Sequence, residues 1–350
     1  MVGAVSDKTG ISWADATWNP IVGCTKVSAG CDNCYAIRTA HRMTANPNPL
    51  VSQAYAGTEA GGEWTGKVNL LADRLEPLRW RKPRRIFVNA QSDLFHKDVP
   101  DEFIARVFAV MALTPRHTYQ VLTKRHGRMR SLLRSDNFRP DVEDAMRGIV
   151  AAYRTEQPWY AAWPLPNLWL GVSVEDQATV DLRIPALLDT PAAVRWISAE
   201  PLLGPVDLRD YVDRWRECDG DTCDWGHCDR AAVAVRRDFT HGDPRYVLML
   251  PVCELHRGLD WVVVGGESGP GARPMHPDWA RTLRDQCAAA KVPYFFKQWG
   301  EWAPEDQTPE ETVIPAQYRH DDSTGCMRLG RRVTGDRLDG RQHHEWPVSQ

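Results

Sequence analysis

Much of what would classify these 350 residues quickly is absent. No apolar run approaches the roughly 20 residues of a membrane-spanning helix, so no membrane partner is expected. Met1 to Thr17 lacks a charged-then-apolar leader, which points to a cytoplasmic protein. Charge of neither sign dominates: 43 Lys and Arg against 46 Asp and Glu leave a formal net charge of −3. Any polyanion must therefore be held by a local patch. There is no internal repeat and no low-complexity tract. A hydrophobic content of 43% is ample for a large core, and one α/β barrel routinely reaches this length.

The nine cysteines are odd in number and clustered, which in a chain without a leader favours metal over disulfides. Cys24, Cys31 and Cys34 stand together without a fourth. A closed zinc site or an all-cysteine iron–sulfur cluster wants four protein ligands. Three thiolates suit a [4Fe–4S] cluster with one open iron, the arrangement that takes S-adenosyl-L-methionine. The spacing C-x6-C-x2-C is a variant of the radical-SAM C-x3-C-x2-C. Zinc completed by a distant His or Cys, or three structural thiols, are the competing readings.

Near-continuous apolar runs mark buried parallel strands at Trp18 to Gly23, Arg85 to Asn89, Thr118 to Leu122, Leu168 to Ser173, Val194 to Ser198, Trp261 to Gly265 and Pro293 to Lys297. Helical spacing follows Pro100 over Asp101 to Leu113 and Pro277 over Asp278 to Ala290. Alternating strands and helices predict an α/β fold, a partial or complete TIM-like (β/α) barrel. A doubly wound sheet fits less well, because no glycine fingerprint follows the first strand. Polar residues cluster behind the strands, where barrel active sites lie. Asp93 and His96 are candidates for proton transfer, against helix capping. Glu200 and Lys297 are catalytic candidates. Glu175 and Asp176 suit ribose hydroxyls, and Gly265, Gly266, Glu267 and Ser268 suit a close-approaching cofactor, with Glu267 the partner for an ammonium group. Tyr35 is placed to shield a cluster or contact adenine.

Residues 217–258 form an expected insertion in which Cys223, Cys228, Cys253 and His256 have zinc-like spacing. Structural zinc is expected there, with an auxiliary iron–sulfur cluster as the alternative. Cys218 or His227 are possible replacement ligands. Asn46 to Val68 reads as a long loop, a candidate lid. Lys82 to Arg85 and Lys124 to Arg134 concentrate basic residues. Lys124 and Arg125 are candidates for a phosphate-bearing substrate, although a solvated helix face explains the later arginines equally. The expected organisation is a barrel over residues 1–302 carrying the 217–258 module, then a wrapping tail, 303–350.

Taken together, Trp18-Asn19-Pro20, Gly23-Cys24 to Tyr35, Ser92-Asp93-Leu94-Phe95-His96, Leu122-Thr123-Lys124-Arg125, Trp169 to Glu175, Glu200-Pro201-Leu202-Leu203-Gly204, Gly265 to Gly269 and Phe296 to Gly300 carry a family likeness. The chain resembles the phage and prophage three-cysteine-motif proteins, a radical-SAM-like family. The resemblance implies a radical-SAM type barrel with its cluster on Cys24, Cys31 and Cys34, and supplies no substrate. It also departs from ordinary radical-SAM enzymes, whose Gly-Gly-Glu run follows the second strand; here Gly265-Gly266-Glu267 follows a late one. The expectation is an enzyme that generates a carbon radical from S-adenosyl-L-methionine, for repair or modification of a nucleic acid or nucleotide. Its expected partners are that substrate, an external electron donor and, as a further candidate, a neighbouring protein. The alternative is a zinc-stabilised protein that binds nucleic acid or a partner without catalysis.

Overall fold

The structure is a computed structural model that describes residues 9–153, 162–212, 258–308 and 320–347. Two short strands, Val233–Arg236 and Leu248–Pro251, pair antiparallel besides. The expected zinc ligands Cys223, Cys228, Cys253 and His256 lie outside the described residues.

Seven strands build the central sheet: β1 (Ala16–Trp18), β2 (Arg85–Val88), β3 (Thr118–Thr123), β4 (Leu168–Ser173), β5 (Val194–Ala199), β6 (Trp261–Gly265) and β7 (Tyr294–Gln298). They lie side by side in chain order and every neighbouring pair is parallel. β1 and β7 do not pair with each other, so the barrel is partial. The sheet curls into a half-barrel in which the loop behind β1 meets the loop behind β6, where Asn33 hydrogen-bonds Glu267.

The helices used below are α1 (Tyr35–Thr44), α2 (Asp101–Ala112), α3 (His126–Leu133), α4 (Phe138–Tyr153), α5 (Gln177–Leu188) and α6 (Pro277–Ala289). α2 starts behind Pro100 with Asp101 and Glu102 in its first turn, where acidic charge complements the helix dipole. Its stripe Ile104, Val107, Phe108 and Met111 is buried.

Alternation along the strands divides the apolar side chains into two cores. Ile86, Val88, Leu170, Ile197, Val262 and Phe296 belong to the larger one, shared with the helices. Phe87, Trp169, Trp196, Trp261, Val263 and Phe295 face the other way and pack with Trp13. Trp13 lies edge-on to Phe87 at 4.7 Å and to Trp196 at 5.3 Å, and Trp346 stacks on Trp261 at 5.2 Å. Trp196 needs Gly171 on β4 beside it, because a Cβ there would meet the indole at 2.6 Å.

Three elements differ from the sequence reading. The first strand is Ala16–Trp18 rather than Trp18 to Gly23. Asn19-Pro20 ends it, since proline brings no N–H to a ladder, and Ile21–Val22 pairs antiparallel with Asn69–Leu70. The expected loop Asn46 to Val68 holds a helix, Pro49–Tyr55, capped by the Asn48 side chain, and a hairpin pairing Glu59–Ala60 with Glu63–Trp64. It packs on α1 through Val51, Ala54 and Tyr55 around Ala40. The tail is less irregular than expected, with an antiparallel sheet of Trp302–Pro304, Cys326–Arg328 and His320–Asp321. The carbonyl of His343 accepts from Phe296 N–H on β7.

His96 and His117 are buried, and burial holds both pKa values below the ordinary 6.5, with neighbouring arginine charge acting the same way. The folded state therefore takes up protons less readily than the unfolded chain, so their contribution is present above pH 6.5 and is lost as pH falls through and below it. The urea midpoint should drop between pH 7 and pH 5.5, and the drop should be smaller in His117→Gln. Equal midpoints at the two pH values would contradict this.

Candidate functional site

Every β-strand of the half-barrel points its carboxyl end at one cavity of about 660 Å³. Its wall includes Cys24, Cys31 and Cys34 from the loop behind β1, together with Tyr35 at the start of α1. Asp93, Lys124 and Arg125 join from behind β2 and β3, Glu200 from behind β5, Gly266, Glu267 and Ser268 from behind β6, and Lys297 from β7. His96, Glu175, Asp176 and Gly265 are not in that wall. Parallel strands impose this convergence, because all their carboxyl ends lie on one rim.

The cysteine loop is gripped from three sides. Asp93 accepts hydrogen bonds from Thr123 Oγ1 at 2.7 Å, Lys124 N at 3.0 Å and Arg125 Nη1 at 2.9 Å. The Arg125 guanidinium then donates to Thr25 O at 3.0 Å, to Thr25 Oγ1 at 2.7 Å and to Cys24 Sγ at 3.6 Å. On the second side Glu175, 1% exposed, accepts from Ser28 Oγ at 2.9 Å. Lys124 Nζ and Arg183 neutralise it, the latter at 3.0 Å. Gly30 lies so close to this carboxylate that any Cβ would collide with it. On the third side Glu267 accepts from Asn33 Nδ2 at 3.0 Å and from Arg273 Nε at 2.9 Å and Nη2 at 2.6 Å. Arg273 also donates to Ala29 O at 2.8 Å.

These contacts place the expected residues in particular surroundings. Glu267 has both oxygens engaged by Arg273 and Asn33. Asp176 is the N-cap of α5, in a capping box with Thr179. His96 is enclosed, with Nε2 3.1 Å from Thr25 Oγ1. Tyr35, half exposed, reaches the carbonyl of Ala90 with its hydroxyl at 2.5 Å. Gly266 faces the Trp299 backbone, which leaves no room for a Cβ. The expected basic patch is bound to acids instead: Arg130 and Arg134 pair with Asp189, and Arg128 pairs with Asp101. Glu200 and Lys297 both face the cavity, paired at 2.7 and 2.8 Å, with Gln298 Nε2 also on Glu200 at 3.2 Å.

Arg183, Arg273 and Asn33 carry the grip, yet sequence reasoning passed over them. Arg183 sits inside a helix and is 3% exposed, a burial that amino-acid type alone does not announce. The signal available was spacing, since Arg183 stands two helical turns beyond Glu175.

All three thiols are free of disulfides. They line one cavity without converging: among the described residues no three His, Cys, Asp or Glu side chains are grouped as for a metal ion. Burial pushes the Cys24 thiol up to about 12, despite the Arg125 charge beside it. Burial raises Cys34 too, although the Ala36 and Ile37 amides at the start of α1 favour its thiolate. In kind the donor set suits a soft metal, which binds such thiols by displacing their protons.

Arg125→Ala should free the Thr25 backbone and leave Asp93 buried without its charged partner, a loss of about 3–5 kcal/mol. The urea midpoint should fall, and iodoacetamide should alkylate Cys24 several-fold faster under native conditions. An unchanged alkylation rate would show that Arg125 does not hold the loop.

No curated protein and no solved structure matches the chain. A family model described as "Protein of unknown function (DUF5131)" matches residues 8–347, and the chain belongs to that family.

Proposed function

We propose that the cavity is the active site of a radical-SAM type enzyme acting on a nucleic acid or nucleotide, with an iron–sulfur cluster on Cys24, Cys31 and Cys34. The observation that carries this reading is the position of three free thiols, on the loop behind the first strand of a parallel half-barrel, in the wall of the cavity at its carboxyl rim. When bound, such a cluster supplies the electron that cleaves the sulfonium of S-adenosyl-L-methionine to a carbon radical.

The chain's own residues have separable tasks. Asp93 with Arg125, Glu175 with Arg183, and Glu267 with Arg273 fix the cysteine loop. The Glu200–Lys297 pair is the charged couple placed to exchange partners, because both members face the cavity and neither is tied to the cysteine loop. Opened by a zwitterion, Glu200 would accept its ammonium and Lys297 would meet its carboxylate, which matches the amino-acid end of the cofactor. The tryptophan cluster beneath keeps water from the floor, as radical chemistry requires.

Anaerobic purification followed by iron and sulfide analysis tests the reading. The expected result is about four irons per chain, lost in Cys31→Ala while the circular dichroism spectrum is retained. Zinc alone, or full iron content in Cys31→Ala, would overturn it.

A further inference from the structure

Asn89, in the cavity wall, carries a carboxamide without a partner among the described residues. Asn89 follows β2 directly, is 4% exposed and lines the cavity. Its backbone is fixed in the left-handed region, φ 59°, by a hydrogen bond from its N–H to Trp18 O at 2.8 Å and one from Ser92 N–H to its carbonyl at 3.3 Å. Its side-chain Nδ2 and Oδ1 are both buried without a partner among the described residues. Trp13 is similar: it is 2% exposed, it lines the cavity and its Nε1 has no partner among the described residues. Gln120 Nε2 holds Trp13 in place by donating to its carbonyl at 3.1 Å. Buried polar atoms without partners are costly and uncommon. Three of them on two residues of one cavity wall are a feature that a ligand would satisfy.

We propose that the cavity holds a nucleobase subsite, in which Asn89 and Trp13 read the edge of the substrate's base. An Asn side chain presents one acceptor beside one donor, and the complementary edge carries a donor next to an acceptor on a rigid plane. Every nucleobase has such an edge, and asparagine pairs with bases in this bidentate manner. The surroundings suit the flat faces: Phe87, Leu122, Ile11 and Ala90 line the same cavity. A phosphate or carboxylate is a poorer occupant, since it has no donor for Oδ1 and finds no unpaired cation on Asn89 or Trp13. The inference rests on the preceding reading that the substrate is a nucleotide or nucleic acid, and narrows it to recognition through the base.

Calorimetry on the full chain with the 5′-monophosphates of cytidine, thymidine, guanosine and adenosine tests this, with ribose 5-phosphate as the base-free control. At least one nucleotide should bind tenfold or more tightly than ribose 5-phosphate. Asn89→Asp, which removes the donor but tolerates the left-handed backbone, should weaken that nucleotide at least tenfold. Trp13→Phe, which keeps a ring and loses the N–H, should weaken it several-fold. Nucleotides that bind no better than ribose 5-phosphate, or variants that bind like the parent, would overturn the proposal. Binding confined to adenosine monophosphate and displaced by S-adenosyl-L-methionine would assign the edge to the cofactor and overturn the substrate assignment. Base binding that depends on Asn89 in a protein found to hold no iron would uphold the subsite and remove the radical chemistry.

Discussion

The structure depends most on the grip of three carboxylates on one loop. Asp93, Glu175 and Glu267 sit behind β2, β4 and β6, and each holds part of Cys24 to Asn33 through its own arginine or directly. Buried ion pairs contribute little net stability, because desolvation offsets the attraction. Their use here is in geometry. A loop of eleven residues from Cys24 to Cys34, without regular structure beyond one short turn at Ala29–Cys31, would otherwise sample many conformations. The price of this rigidity is that Glu267 and Glu175 are already paired with Arg273 and Arg183 and tied to the cysteine loop.

The polar rim adjoins an apolar cluster on one face of the sheet. Trp13, Trp169, Trp196 and Trp261 fill the concave face, and Trp346 from the tail closes it. Arg85, from the basic run Lys82 to Arg85, lies over the Trp346 ring at 3.9 Å while paired with Asp15, and so helps attach the tail. The two regions meet in the cavity, whose wall includes Trp13 and Phe87 of this cluster as well as the polar residues of the rim.

Strand order and the common rim were legible in the sequence, because strands buried on both faces write long apolar runs and parallel connection sends every following loop to one side. The cysteine loop and its acidic neighbours were legible as a set for the same reason. What each acid does was not, because its partner is set by tertiary contact: Arg273 reaches back six residues to Glu267, and Arg183 eight to Glu175. Asp176 is a different case. The pattern Asp176-x-x-Thr179 at a helix start is a capping signal that the ribose reading overlooked. Asn89 left almost no trace, since neither its positive φ nor its lack of a carboxamide partner among the described residues follows from one asparagine after a strand.

The central claim is that the three cysteines and the rim of the half-barrel form one metal-dependent site. Crystals of anaerobically purified protein, with diffraction recorded above and below the iron absorption edge, test it most directly. The account predicts one compact anomalous peak within bonding distance of Cys24, Cys31 and Cys34 and facing Glu200 and Lys297. A peak at the zinc edge only, or sulfur atoms of the three cysteines joined to one another or to other groups without iron, would contradict it.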